Sequence, residues 1–301
     1  YRNHRVLSMP PPSSGGLVLA FVSGFLAPYD LGRSGPASAK TLHLLAEALR
    51  RGFALRNHYL ADPDFVAVPY DKFLSAEAIA YARTSLDPAR ATPSAALATE
   101  PVRRESTHTT HLSVVDKWGN AVALTTTLNS HYGAKVVVPA AGFLLNNEMD
   151  DFATHPGEPN QFGLVQGEPN GVAPGKRMLS SMTPTIVLAP DGSVLLVTGA
   201  AGGPRIITAV FQILSNVLDH HMDVTAAVSG PRIHHQHLPD RLEFETGGWP
   251  DTVLAELARM GHTVAPAGPG EFADAPTILR QGGRWTANPE PRNPGSFAVG
   301  Y

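Results

Sequence analysis

The sequence of 301 residues contains no cysteine. That removes disulfides, thiolate metal sites and a cysteine nucleophile together, and leaves the compartment open. Charge is also scarce: charged residues are 16% of the chain, and 23 Lys and Arg stand against 26 Asp and Glu. A net charge of -3 gives no electrostatic case for nucleic acid or an anionic membrane as partner. No apolar run is long enough to cross a bilayer. The longest, "GGLVLAFVSGFLAPY" (15–29), is interrupted by Ser23 and Gly24 and reads as a buried helix. No signal peptide is visible, and the sequence opens on Tyr1 rather than Met, so any leader would lie upstream of it.

Glycine and proline are plentiful, 28 and 27 residues, and their clusters punctuate the chain. "SAKTLHLLAEALRRGF" sets Leu42, Leu45, Ala46, Leu49 and Phe53 on one helix face, with Ser38 as N-cap. "DPDFVAVPYDKF" then reads as loop and "SAEAIAYARTSL" as a short helix. "DPARATPSAALATEPVRRES" is polar and Pro-containing, and is predicted to be an exposed linker ending at His108. Residues 153–175 have little periodicity and many turn formers. So long a loop inside a compact domain is functional or disordered. "TPTIVLAPDGSVLLVTGAAGG" is a strand, a turn and a strand. "PRIITAVFQILSNVLDHHM" is a buried helix, and "WPDTVLAELARMGHTV" is a helix that Gly261 stops. "PTILRQGGRWTAN" is a closing hairpin. Strands packed on helices with adjacent hairpins indicate a layered α+β or α/β domain.

The stretch "ESTHTTHLSVVDKWGNAVALTTTLNSHYG" is a hairpin crowded with threonine. Lys117, Trp118 and Gly119 suit a three-residue loop, with Gly at the left-handed position. Asp116 then pairs with Asn120, and counting outward sets Thr109 opposite Thr127, with Asn129 on the same face. Two readings follow. The threonines are a cross-strand pair that stabilises a sheet. Alternatively, Thr109 is a nucleophile that is freed by cleavage after His108 and uses its own α-amine as base. The strand–glycine–helix run "LLVTGAAGGPRIITAV" offers the amides of Gly202 and Gly203 to an oxyanion, or is a structural turn. It lacks the spacing of either nucleotide phosphate loop. Glu148, Asp150 and Asp151 suit an ammonium group or a solvated turn. Ser180 and Ser181, after Lys176 and Arg177, could donate to a carboxylate. The histidines of "DHHMD" and "RIHHQH" match no metal motif and read as loop hydrogen-bonders.

Taken together, "SMPPPSSGG", "YLADPDFVAVP", "TTHLSVVDKWGNAVALTTTLN", "LLNNEMDDF", "KRMLSSMTPTIV", "GAAGGPRI" and "PRIHHQHLPD" resemble the γ-glutamyltransferase (γ-glutamyl transpeptidase, glutathione hydrolase) family of N-terminal-nucleophile hydrolases. The resemblance covers essentially the whole chain. It implies a four-layer αββα sandwich and a precursor that cuts itself between His108 and Thr109. Residues 1–108 would be the C-terminal part of a large subunit and 109–301 the small subunit. Thr109 would be the nucleophile and Thr127 its orienting partner. Asn129, Glu148 and Asp151 would hold the donor's α-amino end, Ser180 and Ser181 its α-carboxylate, and Gly202 and Gly203 would form the oxyanion hole. The family implies no cofactor and no metal, a small γ-glutamyl donor, water or an amino acid or peptide as acceptor, and an extracytoplasmic location. Two departures stand out. The N-terminal part of the large subunit, with the arginine that clamps the donor carboxylate, is absent from this sequence. Phe162 stands where many lidded members carry tyrosine, so the lid is expected to close less tightly onto Asn129. The alternatives are a glutaryl- or cephalosporin-type acylase of the same fold, and a non-catalytic fragment.

Overall fold

The computed structural model describes residues 1–97 and 109–300. Helix α1 (Gly15–Leu26) is the longest apolar run of the sequence, and it is buried on nearly every side. Helix α2 (Ala39–Tyr59) starts where the cap is expected: the Ser38 hydroxyl accepts from the N–H of Thr41 at 3.1 Å. Gly52 lets α1 approach α2 closely. A Cβ there would stand 3.2 Å from Val18 and 3.3 Å from Phe21. Phe21, Phe25 and Phe53 are fully buried in the resulting core, each stabilising by about 1.5–3 kcal/mol. Helix α3 (Ala76–Arg83) is capped by Ser75, and Ile79 packs it onto α1. Helices α4 (Arg205–Leu218) and α5 (Asp251–Arg259) lie where the periodicity puts them.

The structure corrects two expectations here, the loop before α3 and the linker. Helix α2 itself runs on past Phe53 to Tyr59, with no Gly or Pro to stop it before Pro63. It is also buried around its circumference, charges included: Glu47 accepts from Arg51 at 2.6 Å and Arg50 at 3.2 Å. The segment expected to be loop before α3 ends in a short helix, Tyr70–Leu74, seated on α1 through Phe73. The linker is not exposed throughout. Ser94 is fully buried, and its hydroxyl donates to the carbonyl of His237 at 2.6 Å. His108 lies outside the described residues.

Strands β1 (Arg5–Ser8), β2 (Thr110–Val115), β3 (Ala121–Thr126), β4 (Thr185–Leu188), β5 (Val194–Thr198), β6 (Ile233–His234), β7 (Leu242–Glu245), β8 (Val264–Ala267), β9 (Thr277–Gln281) and β10 (Arg284–Asn288) form three of the sheets. One is five-stranded, in the order β1-β4-β5-β9-β10, and antiparallel throughout. A second has the order β8-β7-β6, and β2 and β3 make a two-stranded sheet. Side chains alternate across the five-stranded sheet. Val187, Leu196 and Leu279 join the helical core on one face. The β2–β3 hairpin packs across the other. There the His111 ring lies against Gly199, where a Cβ would come within 2.2 Å of it, so position 199 has room for glycine alone.

The layers formed by the described residues are therefore helices, a five-stranded sheet and the hairpin, in an α+β arrangement. The outward face of the hairpin carries Leu112, Val114, Val122 and Leu124, all exposed.

Candidate active site

The hairpin turn forms on the predicted residues. Gly119 takes φ +87°, and Asp116 N–H donates to the Asn120 carbonyl at 3.0 Å. Paired positions run from Val115 with Ala121 to Thr110 with Thr126, which brings Thr109 opposite Thr127. The Thr109 hydroxyl donates to the Thr127 hydroxyl oxygen at 3.3 Å. The same oxygen accepts from the backbone N–H of Asn129 at 2.7 Å. Asn129 is buried with φ +73°, a conformation that asparagine tolerates, and its amide donates to the carbonyl of Asn147 at 3.1 Å. His111 follows on the same face. Its Nδ1 bonds with Thr125 at 2.8 Å and its Nε2 with Ser113 at 3.1 Å, and burial lowers its pKa to about 4. With both ring nitrogens engaged, this imidazole has none left to act as base for Thr109.

One small cavity is lined by Thr109 together with Thr127, Asn129, Asp151, Phe162, Ser180, Ser181 and Gly203. It brings together side chains far apart in sequence. The Ser180 hydroxyl oxygen accepts from Met182 N–H at 3.0 Å, and that of Ser181 from Arg56 Nη2 at 3.0 Å. Arg56 is fully buried, and burial brings its pKa down to about 10, so it stays charged at neutral pH. Sequence reasoning missed this residue, because on helical spacing alone Arg56 is one more arginine of α2.

The three acids separate. Asp150 turns to the lid and accepts from Gln161 N–H at 3.0 Å. Asp151 lines the cavity, while Glu148 lies beside Asp151 without lining it. Burial, and then the charge of Glu148, raises the pKa of Asp151 well above the carboxylate range. Burial also raises that of Glu148. Two carboxyls so close oppose each other's ionisation.

The glycine turn follows β5. Gly203, at φ +56°, lines the cavity. Gly202, at φ +147°, sits behind it, and a Cβ there would come 2.7 Å from Ala273. Neither backbone N–H is bonded to another group among the described residues. They precede the N-terminus of α4, where the helix dipole favours negative charge.

Phe162 and Leu164 are buried in the cavity wall, the Phe162 carbonyl accepts from Gln236 at 3.0 Å, and Asn160 caps the N–H groups of both residues. The cavity that remains is about 20 Å³, room for one water molecule.

The histidines of "RIHHQH" bond within the protein. His234 meets Thr208 and Gln236 at 2.8 Å each, and His237 meets the Ser94 carbonyl at 3.1 Å. His43, Glu47 and His262 are the one metal-ligand-like cluster among the described residues. Glu47 is already taken by Arg50, Arg51 and the N–H of Thr92, and His43 by His262 at 2.8 Å.

Comparison with known proteins agrees with this geometry. The chain is 47% identical over 269 residues to the "Glutathione hydrolase proenzyme" of Escherichia coli strain K12, covering 88% of this chain and 46% of that protein. A solved gamma-glutamyltranspeptidase from Pseudomonas nitroreducens, complexed with L-DON, is 45% identical. It superposes with a TM-score of 0.60, over 64% of this chain and all of that one. A cephalosporin acylase from Bacillus halodurans shares the fold at 22% identity, with a TM-score of 0.80 over 97% of this chain and 50% of its own. The chain spans about half the length of the curated relatives it matches. Residues 1–300 match the Gamma-glutamyltranspeptidase family model, and the chain belongs to that family.

Proposed function

We propose that this chain carries out γ-glutamyl transfer and hydrolysis, with glutathione and related γ-glutamyl compounds as donors and Thr109 as nucleophile. It first cuts itself. The Thr109 hydroxyl attacks the carbonyl carbon of His108, the peptide nitrogen leaves as the Thr109 α-amine, and water hydrolyses the resulting ester. Residues 1–108 and 109–301 then act as two subunits of one domain. In turnover, the freed α-amine takes the proton of the Thr109 hydroxyl as its oxygen attacks the donor's γ-carbonyl. The amides of Gly203 and Gly202 stabilise the oxyanion. The departing amine takes the proton. Water, or an amino acid or peptide, then takes the γ-glutamyl group from the ester. Asp151, with Glu148 and Asn129, holds the donor's α-ammonium, and Ser180 and Ser181 hold its α-carboxylate. Phe162 belongs to the lid over this pocket.

The observation that carries this reading is the Thr109 hydroxyl donating to Thr127 at 3.3 Å, beside a cavity that Gly203, Asp151 and the two serines also line. Its electrostatics favour an amino-acid head group over a plain dicarboxylate, because the carboxyl pair at Asp151 would lose its compensation with a glutaryl donor. The test compares hydrolysis of γ-glutamyl and glutaryl anilides. The γ-glutamyl compound is expected to react roughly 10–100 times faster, the effect of one charge-assisted contact. Equal rates would reassign the pocket to glutaryl-type amides.

A further inference from the structure

Arg56 is a buried cation with no carboxylate in ion-pair contact among the described residues. Its donors end on neutral oxygens: Nε on Ser14 at 2.9 Å, Nη1 on Asn57 at 2.9 Å and Gln166 at 3.4 Å, and Nη2 on Ser181 at 3.0 Å. Asp151 acts on it through space but makes no direct ion pair with it, and a buried charge with no direct partner is costly, so such a group calls for an anion nearby. The bond to Ser181 shows where the anion would sit. Arg56 has no acceptor site, so it can only donate to the Ser181 oxygen and leaves that hydroxyl's proton to be given elsewhere. The Ser180 oxygen is likewise taken, by Met182 N–H at 3.0 Å. Neither serine proton has an acceptor among the described residues, and both side chains line the cavity beside Thr109. The result is a two-donor cradle polarised from behind by a fixed positive charge. Asp151 lines the same cavity.

We propose that Arg56 is a positioning residue that sets the preference for an α-carboxylate on the donor. It acts through the Ser181 hydroxyl without touching the substrate. This rests on the reading above that Ser180 and Ser181 receive that carboxylate. Bound there, the carboxylate supplies the direct counter-charge that Arg56 lacks beside the more distant Asp151, and the ammonium of the same head group faces Asp151. Ser14 and Asn57 hold the guanidinium in place, so the field at the cradle is present before the donor arrives and needs no rearrangement.

The test is a cycle between protein and substrate. For the full-length protein, kcat and KM are measured with a γ-glutamyl anilide and with the same donor bearing an α-carboxamide. The comparison covers the unsubstituted protein and the variants Arg56→Met, Arg56→Lys and Ser181→Ala. Unsubstituted, the protein is expected to favour the carboxylate in kcat/KM by roughly 5- to 150-fold, the size of a typical coupling between two groups. In Arg56→Met that ratio is expected to fall by roughly 5-fold or more, chiefly through KM. Arg56→Lys keeps the charge and should restore part of it, and Ser181→Ala should lose it. A general loss of structure would lower both donors alike and leave the ratio unchanged. Should Arg56→Met not fold, the Lys and Ala variants carry the test. A full ratio in Arg56→Met overturns the role of Arg56 while the donor reading stands; a full ratio in Ser181→Ala overturns the role of Arg56 together with the placing of the carboxylate at Ser181. No carboxylate preference in the unsubstituted protein overturns the donor reading, and this inference with it.

Discussion

The Thr109 hydroxyl donates to the Thr127 hydroxyl oxygen across the first rung beyond the hairpin ladder, at 3.3 Å. The same oxygen is held by the N–H of Asn129 at 2.7 Å, so its position is set by the backbone rather than by a free rotor. Thr127→Ala removes this orienting acceptor. Both self-cleavage and turnover are expected to slow by about 100-fold, the cost of a nucleophile displaced from its attack geometry. Thr127→Ser should recover most of each rate. Time courses on denaturing gels and anilide assays would read the two effects, and a Thr127→Ala protein that cleaves and turns over normally would argue against the pairing.

Asp151 and Glu148 have pKa values raised by burial and by each other. A donor ammonium needs this pair ionised, so lowering the pH through the raised value protonates the pair and removes the counter-charge. KM is therefore expected to rise on the acid side while the fold persists. The sign for stability is opposite. A carboxyl whose folded pKa is raised disfavours the folded state above that pKa, and the cost fades as pH falls through it. Asp151→Asn should thus unfold at a temperature equal to or above that of the unsubstituted protein, yet bind donor at least 10-fold more weakly. A lower melting temperature with unchanged KM would contradict both signs.

Ser94 anchors the end of the 1–97 part to the other part of the chain. Its hydroxyl donates to the His237 carbonyl at 2.6 Å and accepts from Arg50 at 2.7 Å, and its N–H donates to Asp240 at 2.7 Å. Ser94→Ala leaves two buried groups short of a partner and is expected to destabilise the protein by about 1–3 kcal/mol. Denaturant midpoints at constant slope would measure it, and an unchanged midpoint would show that the bonds are dispensable.

Much of this site is local and therefore legible in sequence. Gly119 and the alternation around it set the register of Thr109 with Thr127, and Ser38 and Ser75 mark helix starts by their own chemistry. The serine pair and the glycine turn are contiguous residues that a single loop brings to one place. Arg56 and Ser94 were not legible, because their roles depend on partners brought near only by the fold, and the letter for a buried arginine is that for an exposed one. The burial of charge on α2 was likewise hidden in sequence: Glu47 neutralises Arg50 and Arg51 inside the core.

The central claim is that Thr109 both cuts the chain and carries the γ-glutamyl group. Intact-mass measurement of the full-length protein and of Thr109→Ala tests it most directly. The expected result is two fragments divided between His108 and Thr109 in the first and one uncut chain in the second, with no γ-glutamyl anilide hydrolysis by the variant. Division of Thr109→Ala at that same bond would contradict the account.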